Sequence, residues 1–153
     1  MPPRRRAATF NDGAITIEGL AGFAKALKAV DSRFPKELRE ANFDLAAELA
    51  RRSRVRANSE PGVARKAARS LRAARQASAA VVVGGGPRYP YFWGAEFGAK
   101  QYRQFQTWRG NQWGGWSGGP GYFLHPTIRQ DARALVDEYM KRLDELTAEA
   151  FPE

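Results

Sequence analysis

The chain has 153 residues, a net charge of +9, no cysteine and a single histidine. That length fits one domain with a sizeable core, and the lack of cysteine excludes a disulfide framework, thiolate zinc sites and cysteine nucleophiles. One histidine removes most histidine-based metal and general-base constellations, and with no apolar run of about eighteen residues and no signal-peptide pattern, a soluble protein made without export is expected.

Residues 1–12, beginning with Pro2-Pro3-Arg4-Arg5-Arg6, read as a flexible basic arm, and residues 13–150 as a single α+β domain. Ala14-Ile15-Thr16-Ile17-Glu18 alternates apolar and polar, which predicts a short strand that Gly19 breaks. Leu20, Phe23, Ala24, Leu27 and Val30 recur at three and four and predict a short helix. Pro35 suits a helical first turn, and a longer helix is predicted from about Pro35 to about Arg56 on the stripe Leu38, Ala41, Leu45, Ala46 and Leu49. Glu37 and Glu40 near its start and arginines at its end match the helix dipole.

Residues 57–80 read as partly helical, anchored only by Val63 and Leu71, and mobile or ordered by a partner. Val81-Val82-Val83 is a β-branched strand. Gly84-Gly85-Gly86-Pro87 after it reads as a hairpin turn, because a phosphate loop needs Lys-Ser/Thr or G-x-G-x-x-G spacing. Tyr91 to Phe97 is then the predicted antiparallel neighbour. Ile128, Ala132, Leu135, Val136, Tyr139, Met140, Leu143 and Leu146 form a stripe that predicts a C-terminal helix across the sheet. The expected fold is α+β: a small antiparallel β-sheet packed against a long helix from the N-terminal half and a C-terminal amphipathic helix, with a long Gly/aromatic loop over residues 99–121.

Charge is segregated along the chain. Between residues 51 and 75, Arg51, Arg52, Arg54, Arg56, Arg65, Lys66, Arg69, Arg72 and Arg75 stand against Glu60 alone, whereas residues 131–153 carry seven acids against three cations. An electrically two-sided molecule suits either nucleic acid on one face or head-to-tail contact between identical subunits, so the basic set is a candidate DNA-facing or acidic-neighbour-facing surface. The loop carries Tyr102, Phe105, Trp108, Trp113 and Trp116 among Gln, Arg and Gly. It reads as a hydrophobic flap, a base-stacking platform or a subunit interface; the interface, formed by an extended arm that orders on assembly, is preferred. His125 reads as a structural residue that caps backbone groups or packs on Tyr122, and Glu96, if buried, as a carboxylate with a raised pKa or an arginine partner.

The order of these elements resembles the neck, or tail-completion, protein family of long-tailed bacteriophages over about residues 14–147. Ile17-Glu18-Gly19-Leu20 leading into a Leu27-centred helix carries part of the likeness. The sharpest part is Tyr91-Phe92 to Glu96-Phe97-Gly98, followed at a distance by Phe123-Leu124 and Pro126, which the resemblance marks as structural. The chain departs from the family pattern in lacking a Thr-Gly pair between Asn58 and Leu71.

The resemblance implies a minor virion protein of the head–tail connector, with no enzymatic activity, cofactor or metal. It implies a homo-oligomeric ring, a hexamer favoured, that meets a head-completion or stopper protein and a tail-terminator or tail-tube protein. Genomic DNA would pass through the lumen without sequence specificity, no membrane would be involved, and assembly would take place in the bacterial host cytoplasm. The alternative is a sequence-nonspecific nucleic-acid-binding protein that uses the basic segment 51–75 and the aromatic loop directly.

Overall fold

A computed structural model describes residues 8–11, 14–17, 25, 29, 33–75, 79–110 and 118–152. The fold is α+β, with two antiparallel two-stranded ladders beside two long helices. Strands β1 (Ala8–Asn11) and β2 (Ala14–Ile17) pair from Ala8↔Ile17 to Asn11↔Ala14. Residues 8–11 of the expected arm are therefore strand. Lys25 and Ala29 are helical, and the rest of the helix expected over Leu20–Val30 lies outside the described residues.

Helix α1 (Phe34–Ala57) has Pro35 in its first turn, Glu37 nearby, and Arg54 and Arg56 in its last turn, each placed where the helix dipole favours it. Its buried stripe runs Leu38, Ala41, Asn42, Leu45, Ala46, Leu49, Ala50, Ser53 and Ala57, a helical period that faces one neighbour. That neighbour is α4 (Leu124–Ala150), which runs antiparallel to α1 and presents Ile128, Ala132, Leu135, Val136, Tyr139, Leu143 and Leu146. Leu38 and Leu143 are fully buried, so truncating either to Ala costs about 2–5 kcal/mol. Inside this seam the Tyr139 hydroxyl donates to Asn42 Oδ1 and fixes the register.

Residues 58–75, expected to be weakly anchored, are packed. Helix α2 (Ala64–Ala68) buries Ala64, Ala67 and Ala68, and Leu71 is buried just beyond it. Small side chains let this short helix approach the core closely, so alanines supply the anchoring expected only from larger residues. Strand β3 (Arg72–Ala74) pairs with β4 (Val81–Val83) from Arg72↔Val83 to Ala74↔Val81, and both lie against α1, with β2 passing beside β4. The partner of the Val81–Val83 strand is thus the segment before it and not, as expected, Tyr91–Phe97.

Tyr91–Phe97 is the main correction to the sequence reading: residues 92–97 form a short helix, α3 (Phe92–Phe97). The glycine run before it makes no hairpin. Gly84 and Gly85 lie over the Phe92 ring, where a Cβ on Gly84 would overlap the ring carbons, and Gly85 N–H donates to Ser70 Oγ at 2.8 Å. No described helix is long and apolar enough to cross a membrane.

Candidate functional site

Helix α4 begins without a cap of its own. Phe123 occupies its N-cap position and offers no side-chain hydrogen bond, and Pro126 lies in the first turn. The first N–H groups of any helix lack intrahelical acceptors. Here Glu96 of α3 supplies them from 27 residues upstream: Oε2 accepts from Phe123 N (3.2 Å) and Leu124 N (2.9 Å), and Oε1 accepts from His125 N (2.9 Å). His125 Nδ1 lies 2.9 Å from the same Oε1, and because a carboxylate oxygen only accepts, Nδ1 is the protonated ring nitrogen. Glu96 is fully buried and His125 nearly so, in the field of a helix N-terminus that favours negative charge. The arginine partner expected for Glu96 is replaced by backbone N–H groups and an imidazole.

The glycines flanking this joint are required by it. Gly121 has φ +89°, and a Cβ there would run into the Glu96 carboxylate; Gly98 has φ +82°, and a Cβ would meet the backbone at Gln106 and Thr107. Phe92 meets Phe123 edge-on at 5.8 Å between centroids, and Phe97 lies 5.0 Å from the His125 ring. Of the residues in the sharpest part of the resemblance, Phe92, Glu96, Phe97, Phe123 and Leu124 meet at the joint between α3 and α4, with Gly98 ending α3 and Pro126 in the first turn of α4, whereas Tyr91 lies before α3 against Tyr89 and Lys66. His125 and Glu96 do form the carboxylate–imidazole pair that sequence alone left without a partner, and its hydrogen bonds close a helix end.

The opposite face of α3 is open. Trp93 is 52% exposed, stacked on Phe97 at 5.5 Å and edge-on to Phe92 at 4.8 Å. Phe105 lies against the bare Gly94 backbone, and Tyr102, 60% exposed, stands edge-on to Phe105 at 6.2 Å. Described residues 99–110 are folded back instead of forming the expected extended arm. Ala99 N–H donates to Gln106 O, Arg109 N–H donates to Phe97 O, the Tyr122 hydroxyl donates to Thr107 O, and the Arg109 guanidinium lies 3.9 Å over the Tyr122 ring. Gln106 also reaches Glu60 at 3.1 Å. Trp108 is half-buried beneath Lys100 Nζ at 4.8 Å, while Trp113 and Trp116 lie outside the described residues.

Most of the basic set from residues 51–75 is engaged within the chain. Arg51 and Arg52 bond Glu48, and these hydrogen bonds, that of Arg51 foremost, hold the Glu48 carboxyl at about 2, well below its ordinary range. Arg54 donates to Leu71 O at 2.8 Å. Arg56 bridges to Thr127 Oγ1 and Gln130 Oε1. Arg75 pairs with Glu40, lowering that carboxyl's pKa through the hydrogen bond, and stacks 4.0 Å over Phe43. Lys66 sits over the Tyr91 ring at 5.4 Å. Arg65, Arg69 and Arg72 are exposed and make no ion pair among the described residues.

Charge is polarised in space as well as in sequence. Residues 61–130 hold ten Lys and Arg against the single acid Glu96, and Glu96 is buried in the helix cap, so this portion exposes cations without acids. Residues 61–69 and 92–110 cluster where α1 ends and α4 begins, since Gly62 packs on Gln104 and α2 on α3, whereas Arg75 reaches Glu40 near the start of α1. The pairings Arg56–Thr127, Arg52–Asp131 and Asp44–Arg142 show that α4 runs back along α1, with Asp137 and Glu138 near its middle, about 20 Å from its start, and Glu145 and Glu149 in its last third, about 30 Å or more away at 1.5 Å per residue. Midway along the two helices an open groove of about 280 Å³ lies between α1 and α4, walled by Ala41, Leu45, Leu135 and Tyr139 and rimmed by Asp44, Glu48, Glu138 and Arg142, with Asp44 paired to Arg142 and Glu48 to Arg51 and Arg52. Among the described residues there is no group of three or more His, Cys, Asp or Glu side chains placed to hold a metal ion. Compared with protein-family models, curated proteins and solved structures, the chain matches none.

Proposed function

We propose that this protein is a structural subunit of a phage head–tail connector, of the neck or tail-completion type, that assembles head to tail into a ring through which DNA passes. The observation that carries the reading is the pairing of exposed aromatics with segregated charge. Trp93 and Tyr102 stand among residues 61–130, which expose cations and bury their one acid, while the exposed acids of α4 lie farther along that helix. Heterologous ring contacts join two different patches of each subunit, and such a surface supplies two unlike patches. The buried Glu96–His125 pair spends its hydrogen bonds on a helix terminus, which suits a scaffold. Stopper, tail-terminator or tail-tube proteins are the neighbours this reading calls for.

Mass by light scattering and shape by negative-stain microscopy, with and without DNA, test it. Rings, or a monomer that forms rings on tail tubes or portal-bearing heads, support the connector. A second reading, sequence-nonspecific nucleic-acid binding, is favoured by the acid-free surface of residues 61–130. It requires a persistent monomer that coats DNA with a steep log–log salt dependence reflecting several phosphate contacts.

A further inference from the structure

Three guanidinium groups come together where α1 ends and α4 begins. Arg56, in the last turn of α1, donates through Nε to Thr127 Oγ1 at 2.9 Å and through Nη2 to Gln130 Oε1 at 2.8 Å. Arg129 stands between those two partners in the α4 sequence, donates through Nη1 to Pro120 O and packs against Gly119. Arg109 lies 3.9 Å over the ring of Tyr122, two residues beyond Pro120. The three charges act on one another: partial burial lowers the Arg129 pKa from its ordinary value, Glu96 opposes this, and Arg109 and Arg56 add to the lowering.

The acceptors that hold Arg56 and Arg129 are a hydroxyl, an amide and a carbonyl, so neither charge is neutralised by its own bonds. Glu96, the one acid that acts on Arg129, has its oxygens taken by three backbone N–H groups and His125. The nearby acids Glu60 and Asp131 are bonded to Gln106 and paired with Arg52. A guanidinium carries five N–H donors. Among the described residues these bonds use two on Arg56 and one on Arg129, which leaves donors on both for a ligand.

We infer that Arg56, Arg109 and Arg129 form a clamp for the phosphates of duplex DNA. The inference rests on the reading, common to both proposals above, that nucleic acid contacts this protein. It moves that contact away from the basic segment 51–75, to which Arg56 alone of the three belongs. Planar guanidinium forks match pairs of phosphate oxygens, and groups already held in place lose little freedom on binding. A polyanion suits the cluster better than one acidic side chain, because Arg65, Arg69 and Arg103 stand exposed at the same end of the molecule without an ion pair among the described residues. Successive phosphates would engage them, and such contacts fix the backbone without reading bases.

Anisotropy of a labelled mixed-sequence duplex, titrated with the full-length protein over a series of salt concentrations, tests the clamp. Arg129→Gln and Arg109→Gln should each weaken binding about fivefold and lower the log–log salt slope by about one. Arg129→Lys keeps the charge and should keep the slope while losing part of the affinity. Lys141→Gln, exposed farther along α4, should change neither. Circular dichroism checks the fold of each variant, and the exposure of Arg129 keeps its substitution informative if Arg109→Gln does not fold. An unchanged slope in Arg129→Gln overturns the inference. So does an equal loss in Lys141→Gln, which would make net charge alone the cause. If Arg129→Gln weakens binding of a polyglutamate peptide and not of the duplex, the cluster serves an acidic protein partner and the inference falls. Wild-type rings by microscopy that bind no duplex would overturn the clamp and leave the ring standing; the expected slope changes without rings under any condition would leave the clamp and remove the connector.

Discussion

Glu96 and Trp93 lie three residues apart on a six-residue helix and have opposite fates. The Glu96 carboxylate is fully buried and accepts from three backbone N–H groups and an imidazole; the Trp93 indole is half exposed and rests on aromatic rings from one side only. One face of α3 is therefore internally complete and the other is incomplete. Substitutions on the complete face should be read in stability, and those on the incomplete face in association, which allows the two roles to be separated by experiment.

Among substitutions that test this division, the largest effect on folding is expected from Glu96→Gln. It keeps the shape but turns one acceptor oxygen into a donor that faces N–H groups, so chemical denaturation should show a loss of about 3 kcal/mol. A loss under about 1 kcal/mol would mean that α4 is not held by this cap. Gly121→Ala places a methyl group against the same carboxylate at a left-handed backbone position and should cost about 2 kcal/mol by thermal melting. Tyr139→Phe removes the donor to Asn42 within the α1–α4 seam and should cost about 1.5 kcal/mol.

Smaller still, on stability, is Trp93→Ala, at about 1 kcal/mol from lost ring contacts, and it should weaken self-association at least tenfold by sedimentation. Equal effects on folding and association would erase the distinction between the two faces. The smallest is Glu48→Gln. Its folded-state pKa of about 2 is below the ordinary value of 4.5, so the stabilisation is complete above pH 4.5 and is lost as pH falls through about 2. The pair is partly exposed and contributes about 0.5 kcal/mol. Wild type should exceed the variant by that amount at pH 7 in urea titrations, and the gap should close in acid.

The two long helices were legible because their period is local: Leu38 to Leu49 and Ile128 to Leu146 each state a buried face without reference to the rest of the chain. Residues 91–97 were not. Tyr, Phe and Trp after a glycine run have strand propensity, and only tertiary context reverses it, with the Phe92 ring under the Gly84–Gly85 backbone and Phe105 against Gly94. The cap was also invisible as a contact, since its members lie 27 or more residues apart. Two local signals did point to it. A helix opening at Phe123 with Pro126 in its first turn has no Ser, Thr, Asp or Asn to cap it, and Glu96 is the only acid in residues 61–130. The spread of the basic set was hidden for the same reason, because Arg54, Arg56 and Arg75 find their partners across the fold.

The cap also makes the joint a path for mechanical force. A pull on Trp93 passes through its stack on Phe97 to the His125 ring, and through the α3 backbone to Glu96, whose hydrogen bonds grip the first turn of a 27-residue helix. Tension along the axis of α4 would then load those bonds together and spread into the α1–α4 seam as shear, instead of peeling a terminal turn one bond at a time.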